Sequence, residues 1–404
     1  MRRSPLSGVR DILAAARRLL RPAAGRPQKR PVAEIGPYVN RVLSDATLFN
    51  QIPSPTERES ARTDFILERL ADFGYTGSEI DSLGNVTAVV PAREGTDEHV
   101  LVFAGVRCDE YSPLESMARL ESDRLAGRGV AESAVPVAAL LVLAEYLARN
   151  QLQYDRNVLF LFTVHDPGEL DSPPLEGFLR QWKARLHGAA FVRGLDLGTV
   201  GDRPLGTCKL EVRMRTPERD LMGGGLAVSA VTTLSTVAAR LGGIRWDQQN
   251  TTFLNIAKLE AGLGFGWFPA EGIMELEVFS PDANALDVAR NAMVATINGV
   301  AAEAGAQADI TVRSVLPPGN PDLNAEMSEQ LRRVHEKLRI KSRAVSIPTS
   351  ASILSSQGIP ALTLGVAAGR KSATEEYVEI SSLELGFRQL LMFVEAAARR
   401  PSDE

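Results

Sequence analysis

Four hydrophobic runs of this chain end in clusters of polar residues, and this pattern constrains the fold more than any other feature. The runs with their clusters occupy residues 101–109, 127–133, 160–168 and 358–380. Residues 158–164 are apolar except for one threonine, which is typical of a strand buried on both faces of a sheet. Such sheets carry helices on both faces and bind ligands at the carboxyl ends of their strands. The pattern therefore predicts an α/β protein with its functional residues at those strand ends.

Length and composition narrow the class of protein. The 404 residues favour two domains, and 44% apolar and 24% charged residues with a net charge of -5 exclude a broad basic surface for nucleic acid. Cys108 and Cys208 are isolated, as expected where thiols stay reduced. No apolar stretch has the length of a membrane span, and no signal peptide is evident. We therefore expect a cytoplasmic protein.

Residues 1–33 differ from the remainder of the chain because they are strongly basic. Nine Lys and Arg residues in this segment accompany a single acid, Asp11. Apolar residues near helical spacing would allow a short amphipathic helix, so that residues 1–30 could contact an anionic membrane surface or a partner. The alternative is a solvated tail, and the thin, Ala-rich apolar face favours it.

The middle of the chain has a different pattern from its flanks. Strand-like alternation at 209–215, 252–259, 273–279 and 309–312 is interrupted by helical patterns at 226–241 and 283–304. The order βαββαβ is that of a ferredoxin-like unit. Because its flanks are rich in Gly, Pro and Asp, we predict that residues 205–317 are inserted into an α/β domain formed by 34–204 and 318–404.

Several short motifs resemble those of the M20 family of zinc-dependent peptidases and deacylases, from about residue 38 to the end. They are Ile52-Pro-Ser-Pro-Thr-Glu57, Phe73-Gly74-Tyr75, Leu83-Gly84-Asn85-Val86 and the Gly-x-Gly at 127–129. The resemblance implies a three-layer α/β/α peptidase-like domain with an inserted ferredoxin-like lid and dimerisation domain, and therefore a homodimer. It also implies a small peptide or an amino-acid-like compound as ligand.

The resemblance also assigns the places of the metal ligands, and this chain departs from the family there. The His-x-Asp motif at the end of a strand has Arg107 in the first place and Asp109 in the second. Glu132 takes the place of the Asp that bridges the two zinc ions. Where the family has a Glu-Glu pair, general base first and ligand second, this chain has His165 and Asp166.

The last two places depart further. Asp196 is slightly out of step with the next acidic ligand, and Ser372 stands at the place of the final His ligand. A guanidinium is cationic at any physiological pH and repels a divalent ion, so zinc binding should be weak or lost. Arg107 could then bridge the carboxylates of Asp109, Glu132 and Asp166 in place of the metal.

These substitutions lead to two hypotheses. The first is a pseudopeptidase that binds no metal cofactor and serves as a binding or regulatory module. The second is a divergent hydrolase of amide bonds in peptides or N-acyl amino acids, which uses Zn or another divalent metal on Asp109, Glu132 and Asp166, with His165 as general base. The second hypothesis requires Arg107 to turn away from the cleft.

Overall fold

The computed structural model describes residues 35–53, 59–107, 117–164, 173–217, 228–246 and 251–400. In chain order the helices are α1 (Gly36–Asn50), α2 (Ser60–Asp72), α3 (Val135–Arg149), α4 (Pro173–Gln181), α5 (Ala230–Gly242), α6 (Ala283–Ala304), α7 (Ala325–Leu338), α8 (Ala351–Ser356) and α9 (Leu383–Ala398). The strands are β1 (Glu79–Ile80), β2 (Val86–Val90), β3 (Glu98–Gly105), β4 (Arg119–Glu121), β5 (Arg124–Ala126), β6 (Asn157–Thr163), β7 (Arg185–Arg193), β8 (Thr199–Val200), β9 (Gly206–Arg215), β10 (Phe253–Ala261), β11 (Glu271–Ser280), β12 (Gln307–Leu316), β13 (Arg343–Ala344), β14 (Ala361–Gly365), β15 (Gly369–Lys371) and β16 (Glu376–Glu379).

A six-stranded sheet with the order β1-β2-β6-β3-β7-β14 forms the centre of the larger unit. β6, β3, β7 and β14 run parallel to one another, whereas β2 joins β6 and β1 joins β2 in antiparallel pairs. Every residue of β6 is buried, as the apolar run predicts. The carboxyl ends of four parallel strands therefore meet at one edge of this sheet.

Helices cover both faces of the six-stranded sheet. Val100 and Val102 of β3 pack in a large cluster with residues of α1, α3 and α9. Leu101 and Phe103, which point to the opposite face, pack in a second cluster with residues of α4 and α8. Successive side chains of a strand point to opposite faces, so both faces of the sheet are apolar and both need a helical layer. The predicted three-layer α/β/α architecture is confirmed.

A second unit contains β9, α5, β10, β11, α6 and β12. Its sheet is antiparallel, with the order β10-β11-β9-β12, so the predicted βαββαβ order is also confirmed. Alternate side chains of β9, among them Cys208 and Val212, pack in one cluster with α5 and α6. Burial raises the pKa of the Cys208 thiol to about 11, which keeps it protonated. The exact domain boundaries stay a prediction.

The start of α5 was predicted incorrectly. We expected a helix from residue 226, but the helix begins at Ala230, and residues 226 and 227 lie outside the described part of the chain. Ser229 is the N-cap: its side chain accepts a hydrogen bond from Thr232 N, and the Thr232 hydroxyl accepts one from Ser229 N. This capping box fixes the start of the helix at Ala230, because Ser229 itself has an extended backbone conformation.

A small antiparallel sheet with the order β15-β16-β5-β4 flanks the larger unit and was not predicted. It connects the segment after β14 to the segment before α3, so it brings two of the four polar motifs together. Within the described residues, Val130–Arg149 is long and apolar enough to cross a membrane, but 94% of that window is buried inside the protein. Such burial is typical of the core helix of a folded domain.

Candidate active site

Arg107 lies two residues beyond the end of β3, at the edge where the parallel strands end. Its side chain is buried, with 7% of the residue surface exposed. Arg193 and Gly365 end the neighbouring parallel strands β7 and β14 at the same edge. The other predicted site residues after β3 and β6 lie outside the described part of the chain; they are Cys108, Asp109, His165 and Asp166.

Glu132 lies in a π-helical turn, Val130–Ala134, which leads into α3. Gly129 enters this turn with φ +77°, a left-handed conformation that glycine adopts without steric cost. The Glu132 Oε1 atom lies 2.9 Å from Lys371 Nζ. The carboxylate at the place of the family's bridging acid therefore pairs with an ammonium group.

The side chain of Glu376 fixes the backbone of this turn through hydrogen bonds. Its carboxylate is buried and accepts hydrogen bonds from the N–H groups of Gly129 at 2.9 Å, Ala131 at 2.8 Å and Glu132 at 3.2 Å. Burial raises the pKa of Glu376, although the backbone donors and Lys371 act in the opposite direction. Glu376 also faces Lys371 directly across the β15–β16 pair.

Arg62 of α2 also contacts this turn. Its guanidinium is almost fully buried and lies over the ring of Phe49, 4.7 Å from the ring centroid. It donates hydrogen bonds to the carbonyl oxygen of Val106 and, at 3.1 Å, to the hydroxyl of Ser133. One buried cation thus connects the residue before Arg107 to the residue after Glu132.

Two further residues at predicted metal places are engaged in local contacts. The Ser372 hydroxyl accepts a hydrogen bond from Glu375 N at 3.1 Å within the tight connection between β15 and β16. The Asp196 carboxylate accepts one from Arg193 Nη1 at 3.1 Å. Asp196 has φ +70°, so its backbone conformation is uncommon for a residue with a side chain.

The three described histidines lie outside the site. His99 Nδ1 is 2.9 Å from the carbonyl oxygen of Asp97, and its ring packs edge-on against Trp182. His335 is buried between Gln389 and Ser342. His187 lies on β7, near the start of the strand and away from the carboxyl edge. Burial lowers the pKa of all three, which favours neutral rings.

The described residues at the metal places do not fit a zinc site. A zinc ion is held by neutral imidazoles, thiolates or carboxylates that converge on it. Here Arg107 is a buried cation, Glu132 is paired with the Lys371 ammonium and Ser372 bonds within its own turn. The part of the chain that the structure describes contains no group of three His, Cys, Asp or Glu side chains that could hold a metal ion. Asp109, His165 and Asp166 lie outside that part of the chain.

Sequence comparison identifies the family. The family described as "Peptidase family M20/M25/M40" matches residues 89–396, which is more than half of the chain. The chain belongs to the M20 family. This confirms the resemblance seen in its motifs, and the fold of its solved relatives agrees with the three-layer domain and its insertion.

The M20 relatives include enzymes with different substrates. A succinyl-diaminopimelate desuccinylase of Bordetella avium is 28% identical over 253 residues, which is 55% of this chain and 63% of the relative, so the match spans less than two thirds of that protein. A tripeptidase structure from Staphylococcus aureus has a TM-score of 0.72 at 18% identity and covers 90% of this chain and 99% of its own. The Bacillus subtilis YXEP protein, a dinuclear metal binding peptidase, has a TM-score of 0.59 at 14% identity, with 90% and 99% covered.

Two residues of the site were missed by sequence reasoning. Lys371 directly precedes Ser372 and Glu376 lies four residues after it, so both belong to the polar cluster within residues 358–380. The sequence signal for Lys371 was a positive charge directly before Ser372, the residue at the place of the final His ligand. The pairing of β16 with β5, which brings Glu376 under the Glu132 turn, joins strands of three and four residues that have no detectable period.

Proposed function

We propose that this M20-family protein retains the cleft as a binding site for a small peptide or amino-acid-like ligand and lacks zinc-dependent hydrolysis. The observation that carries the proposal is the burial of Arg107 at the carboxyl end of β3. In the family this place holds an imidazole that binds the metal. The protein would then act as a binding or regulatory module, that is, as a pseudopeptidase.

The electrostatic cost of the substitution supports this proposal. Two unit charges 4 Å apart interact by about 4 kcal/mol at an effective dielectric constant of about 20, and a divalent ion doubles this to about 8 kcal/mol. Structural zinc sites bind with about 10–16 kcal/mol when all their ligands are present. At that separation, a guanidinium in place of one ligand would cancel half or more of the binding free energy, before the loss of the second His ligand is considered.

The polar turn beside Arg107 supports retained binding. Buried polar networks are costly unless every member is satisfied. In this turn, the carboxylate of Glu376 accepts three backbone hydrogen bonds and the guanidinium of Arg62 donates to two segments at once. These contacts hold Glu132 in a fixed position without a metal. Binding a small ligand costs entropy when side chains and loops must be ordered. A polar surface that is already ordered lowers this cost.

A divergent metal-dependent hydrolase is the second candidate, and the named activities of the relatives favour it. The desuccinylase and the tripeptidase both cleave bonds at M20 sites. If Asp109 and Asp166 converge on Glu132, the three carboxylates would form an oxygen-rich set of the type that suits Mg, Mn or Ca as well as zinc, and His165 would be the general base. This candidate requires both Arg107 and Lys371 to leave the positions described above.

Metal analysis combined with an activity assay separates the two candidates. We expect protein purified without chelator to contain well under one equivalent of divalent metal, to bind dipeptides or N-acyl amino acids in calorimetry and to leave them intact. Asp166→Ala is compared with Asp123→Ala, which changes an exposed aspartate. About one equivalent of metal, together with hydrolysis that Asp166→Ala abolishes and Asp123→Ala does not, would establish the hydrolase instead.

The remaining expectations about partners belong to the same proposal. We propose a cytoplasmic homodimer that binds no nucleic acid, consistent with the net charge of -5. Residues 1–30, which lie outside the described part of the chain, are proposed to make at most weak contact with an anionic membrane surface.

A further inference from the structure

We propose that the Lys371 ammonium group is a built-in replacement for a metal ion beside Glu132. This half of the cleft would then be electrostatically complete before any cation from solution arrives. The inference rests on the proposed function for its setting, but it concerns a different residue from Arg107. The described residues do not fit zinc because the place beside Glu132 is taken by the Lys371 ammonium group.

The geometry of the pair is that of a charge-assisted hydrogen bond. Lys371 Nζ and Glu132 Oε1 are 2.9 Å apart, within the usual range for an ammonium and a carboxylate. The two side chains are 35% and 26% exposed, so the pair is partly shielded from water. Partial burial makes the attraction stronger than that of a surface ion pair.

Both members of the pair are held next to one residue, Glu376, the first through its carboxylate and the second through strand pairing. Glu376 accepts the backbone N–H of Glu132 and of the two nearby residues Gly129 and Ala131. Glu376 is also the cross-strand neighbour of Lys371 in the β15–β16 pair. Since the backbones of both partners are fixed, the pair loses less conformational entropy than two flexible side chains on a surface.

The charges around Lys371 explain what its ammonium does. Glu132 and Glu376 lie on adjoining segments, so two carboxylates approach each other at the start of α3. Such like charges are stable together only if protons or a cation intervene. Lys371 pairs with Glu132, is the cross-strand neighbour of Glu376, and directly precedes Ser372, which stands at the place of a lost His ligand. A fixed ammonium therefore supplies the positive charge that the acidic turn requires.

The assignment predicts how the turn responds when the ammonium is removed. Lys371→Met leaves the acidic turn without its internal cation, so a divalent ion from solution should now stabilise the folded protein. Glu132→Gln in addition removes the charge that needs neutralising, so the double variant should have no such response. Lys371→Arg keeps a cation and should behave as the wild type.

The experiment is a comparison of thermal unfolding midpoints of the full chain in chelator and in millimolar MnCl₂, MgCl₂ or CaCl₂. We expect no shift for the wild type, and we expect Lys371→Met to have a lower midpoint in chelator that each divalent cation raises by several degrees. The double variant should recover part of the lost unfolding midpoint, and the divalent cations should not shift that midpoint. Arg370→Met, which removes an exposed cation from the same strand, is the matched control and should resemble the wild type.

The outcomes are decisive in both directions. An equal cation shift in the wild type, or strictly additive effects of the two substitutions, would overturn the assignment. If Lys371→Met does not fold, the double variant should still fold, and failure of both would also overturn it. The result is distinguishable from that of the activity assay, because an inactive, metal-free protein could still lack the coupling between Lys371 and Glu132, whereas metal-dependent hydrolysis would overturn the proposed function itself.

Discussion

The Glu376 carboxylate shows, at the scale of one residue, how the candidate site is positioned without a metal. Three backbone N–H groups of the Glu132 turn donate to it, and a further backbone bond joins Gly127 N to Glu376 O at 2.9 Å. A buried carboxylate with several amide donors is a rigid anchor, because each donor would otherwise be left unsatisfied. Glu376 therefore acts through Glu132 and is a positioning residue.

Glu376→Gln should loosen the turn at 127–134. The amide retains one acceptor oxygen but replaces the other with a donor, so at least one of the three N–H groups loses its partner. We expect a loss of about 1–3 kcal/mol in the free energy of unfolding and faster hydrogen exchange confined to this turn. Glu379→Gln, a partly exposed neighbour on the same strand, is the control. Unchanged exchange at 127–134 would contradict the positioning role.

Gly194→Ala tests the packing of the same turn against β7. The Gly194 N–H donates to Ala131 O at 3.0 Å, and a methyl group at residue 194 would lie 2.2 Å from that oxygen. The turn must move, so we expect a loss of about 1–3 kcal/mol in chemical denaturation, as for overpacked cores, and weaker ligand binding. Gly299→Ala, in α6 with open space around it, should instead be neutral or stabilising by up to about 1 kcal/mol. Equal effects of the two substitutions would contradict this account.

Residues of the site could be predicted from the sequence only where a motif fixes them. Arg107 lies just after a strand and Glu132 in the turn after the Gly-x-Gly, as expected, since Arg107 follows an apolar run and Glu132 follows two glycines at fixed spacing. The bond between Glu132 and Lys371 could not be predicted, because it joins residues 239 positions apart in the chain through β16. Whether Arg107 bridges Asp109 and Asp166 stays a prediction, because both carboxylates lie outside the described residues.

At the scale of elements, the contact between α7 and α9 contains a buried histidine that is hydrogen-bonded to a glutamine. His335 Nε2 lies 2.8 Å from Gln389 Oε1, and Gln389 Nε2 donates to Gly365 O at the end of β14. Burial and the nearby Arg332 lower the pKa of His335, although the bond to Gln389 acts the other way. The neutral ring is therefore part of the packing between two helices and the central sheet.

Acidification should weaken this helix contact. The unfolded histidine has a pKa of about 6.5, and the folded one has a lower value, so the unfolded state binds more protons as pH falls. The stabilisation that the neutral His335 ring provides is complete above the pKa of the unfolded state. It is lost as the pH falls below that pKa, by up to about 1.4 kcal/mol per pH unit. Denaturation at pH 7.5 and pH 5.5 should show a larger loss for the wild type than for His335→Gln. Equal losses in the two proteins would contradict the prediction, since His99 and His187 are common to both.

Long elements were predicted correctly and short ones were not, for a physical reason. β6 is long enough to be recognised as a continuous apolar run and α6 to show a helical period, and β6 and the apolar face of α6 are buried as expected. β4, β5 and β15 have three residues each and are mostly exposed. Strands of that length are fixed by tertiary pairing, which a local pattern does not record.

At the scale of the molecule, the inserted unit has an apolar outer side. On α5, the apolar side chains of Leu234, Val237 and Leu241 are buried in the core of this unit. Val228 and Val231 are instead 42% and 36% exposed. The adjacent β10 is an edge strand of the sheet, and its Phe253 and Leu259 side chains are also exposed. An unprotected edge next to exposed apolar groups is a surface on which a second chain can pair.

We therefore expect a homodimer at micromolar concentration, measured by light scattering. A stable dimer needs about 800 Å² of buried surface from each partner, which is more than two valines provide, so the edge of β10 should contribute as well. Val231→Glu would bury a charge in that interface and should weaken dimerisation at least about tenfold, or about 1.4 kcal/mol. Val288→Glu, which alters an exposed valine on α6, should leave the dimer intact. A monomeric wild type, or equal weakening by both substitutions, would place the assembly surface elsewhere or exclude it.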